Sequence, residues 1–157
     1  MADRGVIMLQ WLFATLHLLA LGCGLGAIAA RGRNLAATPD APAVQRSLRA
    51  DNWWCLSLLL WLVSGSALAF SHMAMLWSQG KPLPLALAKS LALALLLLQE
   101  WRSRPLIRQC RQRLDRGRLP TEEIRSQLQR HSRRQLFMLL LLLVISTALR
   151  AGLFNTL

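Results

Sequence analysis

The sequence predicts an all-α fold: a polytopic membrane protein, a single domain of four transmembrane helices with a basic helical loop on the cytoplasmic side. Two observations predict it. Hydrophobic residues make up 54% of 157, and they gather into runs rather than recurring on one face. Leu136 to Leu149 carries no charge, and Leu91 to Leu98 holds only Leu and Ala. The charge lies between the runs: the net charge is +12, and 17 of the 19 basic residues are Arg. An apolar run of about 20 residues matches a hydrocarbon core about 30 Å thick. The same pattern excludes a disordered chain, a disulfide scaffold and a parallel-sheet enzyme. Cys23, Cys55 and Cys110 are odd in number and lack metal-ligand spacing, so they imply neither a disulfide framework nor a metal site.

Taken in order, the spans are about 6–30, 53–75, 83–99 and 135–154. No basic n-region and cleavage site precede the first run, so it reads as a retained span. The second is bounded by Asp51 and by the Gly80-Lys81-Pro82 turn. The third is the shortest and carries Lys89, which costs up to about 3 kcal/mol at mid-membrane against about 0.5 kcal/mol returned per Leu. Nine leucines between Leu83 and Leu98 outweigh it. Backbone groups in lipid must be satisfied within the segment, so each span is a helix.

Counting Lys and Arg orients the chain. The loops 31–52 and 100–134 carry 15, and the tails and the second loop carry 3. The positive-inside rule places both long loops in the cytoplasm and both termini on the periplasmic side of a bacterial inner membrane. The tryptophans Trp53, Trp54 and Trp101 then fall at the cytoplasmic interface. Within the third loop, Leu106–Arg116 and Thr121–Arg134 read as two helices, with Gly117 as a stop and Pro120-Thr121-Glu122-Glu123 as a restart. Eleven Arg against three acids in 101–134 mark a surface for anionic lipid headgroups. Nucleic-acid binding is not expected, because aromatic interleaving and a recognised motif are both missing.

Few residues inside the spans can do chemistry. All seven acids fall in tails, in loops or at interfaces, which weighs against a proton-coupled transporter. His17 sits mid-span, on a stripe with Gln10, Ala14, Leu21, Gly24 and Ile28 that should face the bundle interior. A buried imidazole can hydrogen-bond a neighbouring Ser or Thr, ligate a metal or haem, or relay a proton. Gly24 would leave room for a flat macrocycle. Lys89 either snorkels outward or provides a fixed cation for an anionic ligand. His72 reads as interfacial. Gly22 and Gly26 form a G-x-x-x-G pair, and Ser57, Ser64 and Ser71 recur every seventh residue as helix–helix glue.

Several segments look familiar. They are Leu16-His17-Leu18-Leu19-Ala20, Leu58-Leu59-Leu60-Trp61-Leu62-Val63-Ser64-Gly65, Leu87-Ala88-Lys89 and Arg49-Ala50-Asp51-Asn52-Trp53-Trp54. Together they resemble a family of short four-span bacterial membrane proteins of unknown function and, more distantly, HemJ-type protoporphyrinogen oxidases and CopD-like membrane proteins. The HemJ-type resemblance implies haem b, with His17 as an axial ligand of the iron and Lys89 positioning a tetrapyrrole or the propionates. The sequence departs from that family at the end of the third span, where Leu98-Gln99-Glu100-Trp101 replaces a His-rich segment. Three functions follow as expectations. The first is a haem-binding protein with a redox role. The second is a non-enzymatic membrane subunit or assembly factor with a membrane-protein partner. The third is a small transporter, which would need a homo-oligomer to enclose a path.

Overall fold

A computed structural model of the chain describes residues 2–36, 40–78 and 83–150, with side chains over 5–36, 40–69 and 90–147. Four helices account for nearly all of it: α1 (Ala2–Ala36), α2 (Ala41–Ser78), α3 (Leu83–Asp115) and α4 (Glu122–Arg150). There is no strand among the described residues. Neighbours in the ring run antiparallel: α1 packs on α2 and α4, and α3 packs on α4 and α2.

The helices are longer than the apolar runs that seed them. At about 1.5 Å per residue, the 38 residues of α2 extend about 57 Å and the 29 of α4 about 44 Å. The two long loops expected from the sequence are therefore mostly helix. The first shrinks to the few residues between Ala36 and Ala41, and the separate helices expected within 100–134 are continuations of α3 and α4. Pro105 lies inside α3 and removes one intrahelical donor. The helix continues because Ile107 and Cys110, just beyond, are buried among Leu35, Val44, Ile124 and Leu128.

Local chemistry fixes the ends. Asp40 caps α2, its Oδ1 accepting the Ala43 amide at 2.8 Å. Glu122 and Glu123 occupy the first turn of α4, where the helix dipole favours acids. α3 stops as expected at Gly117, which has φ +67°. There the Arg118 amide reaches the Arg113 carbonyl at 2.9 Å and the Gly117 amide reaches Leu114 at 2.9 Å. This is the Schellman arrangement, in which the left-handed residue is normally glycine. Gly117→Ala meets open space, so its effect isolates the backbone term; it is expected to lower unfolding free energy by about 1–2 kcal/mol, read from detergent-solubilised thermal unfolding.

Two apolar cores stack along the bundle. The first holds Ala27, Ile28, Trp54, Leu58, Leu96 and Leu139. The second holds Leu35, Val44, Ile107, Cys110, Ile124 and Leu128. Around the first core the outward faces stay apolar: Leu18 and Leu19 on α1, Leu59 and Val63 on α2, Leu91 and Leu95 on α3, and Leu140 and Val144 on α4 are exposed. Around the second core the outward faces carry Arg46, Arg49, Arg108, Arg111 and Arg130. Among the described residues, two helices, α1 and α2, are long and apolar enough to cross a membrane. Only 22% of the apolar window in each is buried within the protein, whereas a core helix of a water-soluble protein is mostly covered.

Candidate functional site

Between the two cores lies a polar layer to which every helix contributes. Arg31 stands on the apolar stripe of α1, one turn past Ala27 and Ile28 and one turn before Leu35, so its guanidinium is carried into the bundle at 2% exposure. Its Nη1 meets Asp51 Oδ1 of α2 at 2.7 Å, and its Nε donates to Ser132 Oγ of α4 at 3.0 Å. Its Nη2 donates to Gln135 Oε1, so all three guanidinium nitrogens are engaged. Gln135 passes the chain on, Nε2 donating to Glu100 Oε2 of α3 at 2.7 Å. The same Glu100 oxygen accepts the Trp54 indole N–H at 2.8 Å.

Arg104 completes the layer from the rim. It pairs with Glu100 Oε1, donates to Cys55 Sγ at 3.0 Å and lies 4.0 Å from Asp51 Oδ2. Two guanidiniums thus face two carboxylates, and the layer is electrically balanced. Burial of an ion pair costs several kcal/mol per ion unless geometry and additional hydrogen bonds compensate. Here Ser132, Gln135, Trp54 and Cys55 supply those bonds.

Donor atoms of Asp51, Cys55 and Glu100 lie within 4.8 Å of one another, close enough to hold a metal ion. The electrostatics argue against that use. Both carboxylates already face guanidiniums, and a divalent cation would meet Arg31 and Arg104 at the same oxygens. The cluster is a salt-bridged helix junction.

His17 has a different setting, between α1 and α2. Its Nδ1 lies 3.1 Å from the Trp61 carbonyl oxygen and 3.1 Å from Ser64 Oγ. A carbonyl can only accept, so Nδ1 carries a proton and donates it. The Ser64 hydroxyl itself donates to Leu60 O at 2.7 Å. The imidazole stacks on Trp61 with ring centroids 5.3 Å apart, and its Cε1 lies 3.0 Å from where a Cβ on Gly65 would be. The Ser64 position of the seven-residue serine series is thus helix–helix glue, as expected.

Beside His17, a cleft of about 150 Å³ opens against Leu139, Ser146 and Thr147 of α4. Small-molecule sites run to about 300–1,000 Å³. The room expected beside Gly24 is filled: Trp54 ring carbons lie 3.0 and 3.3 Å from where a Cβ on Gly24 would be. Among the described residues, the surroundings of His17 do not fit a haem macrocycle. Lys89 lies on α3, but its side chain is outside the described residues, as are those of His72 and Ser71. Gly22 and Gly26 face open space and bring no described helix close.

The polar layer departs from the charge pattern expected of the sequence. Asp51 and Glu100, expected at interfaces or in loops, are 2% and 5% exposed, and Trp54, expected at an interface, faces inward. A signal existed: Arg31, Asp51 and Glu100 each flank an apolar run, one of them opposite in sign to the others. Nearby, His131 is half-buried, and its Nδ1 has no hydrogen-bond partner among the described residues. Burial lowers its pKa from the ordinary 6.5, and Arg134, Arg31, Arg102 and Arg130 push the same way. Folding therefore favours the neutral ring, and protonation costs stability once pH falls below about 6.5. His131→Gln is expected to flatten the loss of thermal stability between about pH 7 and 5, the window of a depressed imidazole. No family model matches the sequence, and neither curated proteins nor solved structures show a match.

Proposed function

We propose that this is a four-span bacterial inner-membrane protein with both termini periplasmic, working as a non-enzymatic subunit or assembly factor of a larger membrane complex. The observation that carries this reading is the closed polar layer. Arg31, Asp51, Glu100 and Arg104 neutralise one another and, with Gln135 and Ser132 of α4, tie four helices at one level, which serves a rigid scaffold and leaves no described nucleophile or acid–base pair poised for chemistry. The four-span reading draws on α3 and α4 as well. Leu91, Leu95, Leu97, Leu98, Phe137, Leu140, Leu141 and Val144 are all exposed, a larger apolar surface than water tolerates on a monomer. The arginine-rich second tier then lies in the cytoplasm, available to anionic headgroups and to an acidic partner.

Affinity purification of the tagged full chain in mild detergent tests the reading. A membrane protein co-eluting at fixed stoichiometry is the expected result. A protein that elutes alone and carries a Soret band, lost in His17→Ala, would replace this reading with the haem protein.

A further inference from the structure

We propose that α3 carries a binding site for an anionic phospholipid, with Arg102 and Arg108 holding the headgroup phosphate and the leucine stripe above them bedding an acyl chain. The site rests on the four-span reading, which sets Trp101 at the cytoplasmic membrane boundary. A groove of about 520 Å³ runs along α3, lined by Leu98, Trp101, Arg102, Arg104, Pro105 and Arg108. Arg104 is already engaged by Glu100 and Cys55. Arg102 and Arg108 are different: both are exposed, and neither makes an ion pair or side-chain hydrogen bond among the described residues. They stand six residues apart, about 9 Å along the axis, near enough for two flexible side chains to converge on one phosphate.

Charge alone would serve a soluble phosphate equally well. The apolar stripe that meets the groove at Leu98 selects a lipid. Leu91, Leu95 and Leu98 are exposed at 63%, 45% and 42% and recur at helical spacing on the face that leads into Arg102 and Pro105. Trp101, 75% exposed, marks the join, where an indole with an apolar body and a polar edge sits at headgroup level. Only a molecule with an anionic head and a hydrocarbon tail matches both halves. Pro105 contributes as well, because its ring cannot donate a hydrogen bond and keeps the groove floor apolar between the two arginines.

The test uses the full chain released from detergent for native mass spectrometry. Dioleoylphosphatidylglycerol is the anionic probe, dioleoylphosphatidylcholine the neutral one, and inorganic phosphate in large excess the headgroup without a tail. Arg102→Gln with Arg108→Gln removes the groove charge. Arg130→Gln with Arg133→Gln removes the same charge from exposed positions on α4. The groove pair is expected to weaken phosphatidylglycerol binding by about 30-fold, roughly fivefold per arginine at a membrane surface. The α4 pair should change it by less than about threefold, phosphatidylcholine binding should be weak throughout, and inorganic phosphate should not displace the lipid. Equal binding of the two lipids, equal loss in both variants, or displacement by inorganic phosphate would each overturn the site. Such failures leave the four-span scaffold standing, because that reading answers to topology and co-purification.

Discussion

Replacing Asp51 by Ala is expected to destabilise the folded protein by about 3–5 kcal/mol, because it leaves the Arg31 guanidinium buried without its counter-charge. The two side chains are each 2% exposed and meet at 2.7 Å, so solvent cannot take over the lost contact. Arg104, 4.0 Å from the other Asp51 oxygen, loses a favourable charge at the same time. Arg31→Ala should cost a comparable amount by stranding Asp51. The informative variant is the double replacement Arg31→Met with Asp51→Leu. Removing both charges removes the stranded partner, so the double variant should recover most of the loss, giving a coupling energy of at least about 2 kcal/mol in a double-mutant cycle closed by Arg31→Met and Asp51→Leu as its singles. Thermal unfolding in detergent and SDS titration both read it. A double variant as unstable as the sum of the singles would show that Ser132 and Gln135, not the charge balance, dominate the layer.

Glu100→Ala should have a similar cost and a different signature. Glu100 is the one acid through which α3 touches both α2 and α4 in the layer: Trp54 and Gln135 donate to one of its oxygens, and Arg104 pairs with the other. Its loss unties α3 specifically. Cys110, one helical stretch further along α3, reports on that. It is 1% exposed in the second core, and burial raises its thiol pKa above the ordinary 9.0. A buried, protonated thiol reacts slowly. In Glu100→Ala, maleimide labelling of Cys110 is expected to accelerate at least about tenfold at a given pH, read by peptide mass spectrometry so that Cys23 and Cys55 do not interfere. The Asp51→Ala variant, which loosens the α1–α2 contact, should move Cys110 much less per kcal/mol lost.

These variants show which parts of the molecule were legible in the sequence. The helical class followed from the apolar runs, each of which seeds one of the four helices, since a hydrophobic stretch near 20 residues without breaker residues has few alternatives; the two further helices expected within 100–134 did not follow, because they continue α3 and α4. The restart at Glu122 and the stop at Gly117 were legible because capping is local chemistry. The extension of every helix past its apolar run was not. Counting charges treats 31–52 and 100–134 as loops, whereas Leu35, Val44, Ile107, Cys110, Ile124 and Leu128 are spaced to build a second core beneath them. The polar layer was hidden for the same reason. Charge totals that orient a chain do not say which of the arginines turns inward, and Arg31 does so only because its neighbours at helical spacing are buried. At His17 the residue was legible as bundle-facing, but its partners were not: Trp61, Ser64 and Gly65 lie 44 or more positions away in sequence.

The proposed topology puts the polar layer at the cytoplasmic face of a four-span bundle. Single-cysteine accessibility in intact cells tests it most directly, with one probe cysteine at exposed Arg118 between α3 and α4 and another at Asp3 near the start of α1, on a background lacking the native thiols. A membrane-impermeant maleimide is predicted to label position 3 in intact cells and position 118 only after the inner membrane is permeabilised. Labelling of position 118 in intact cells, or protection of position 3, would overturn that topology.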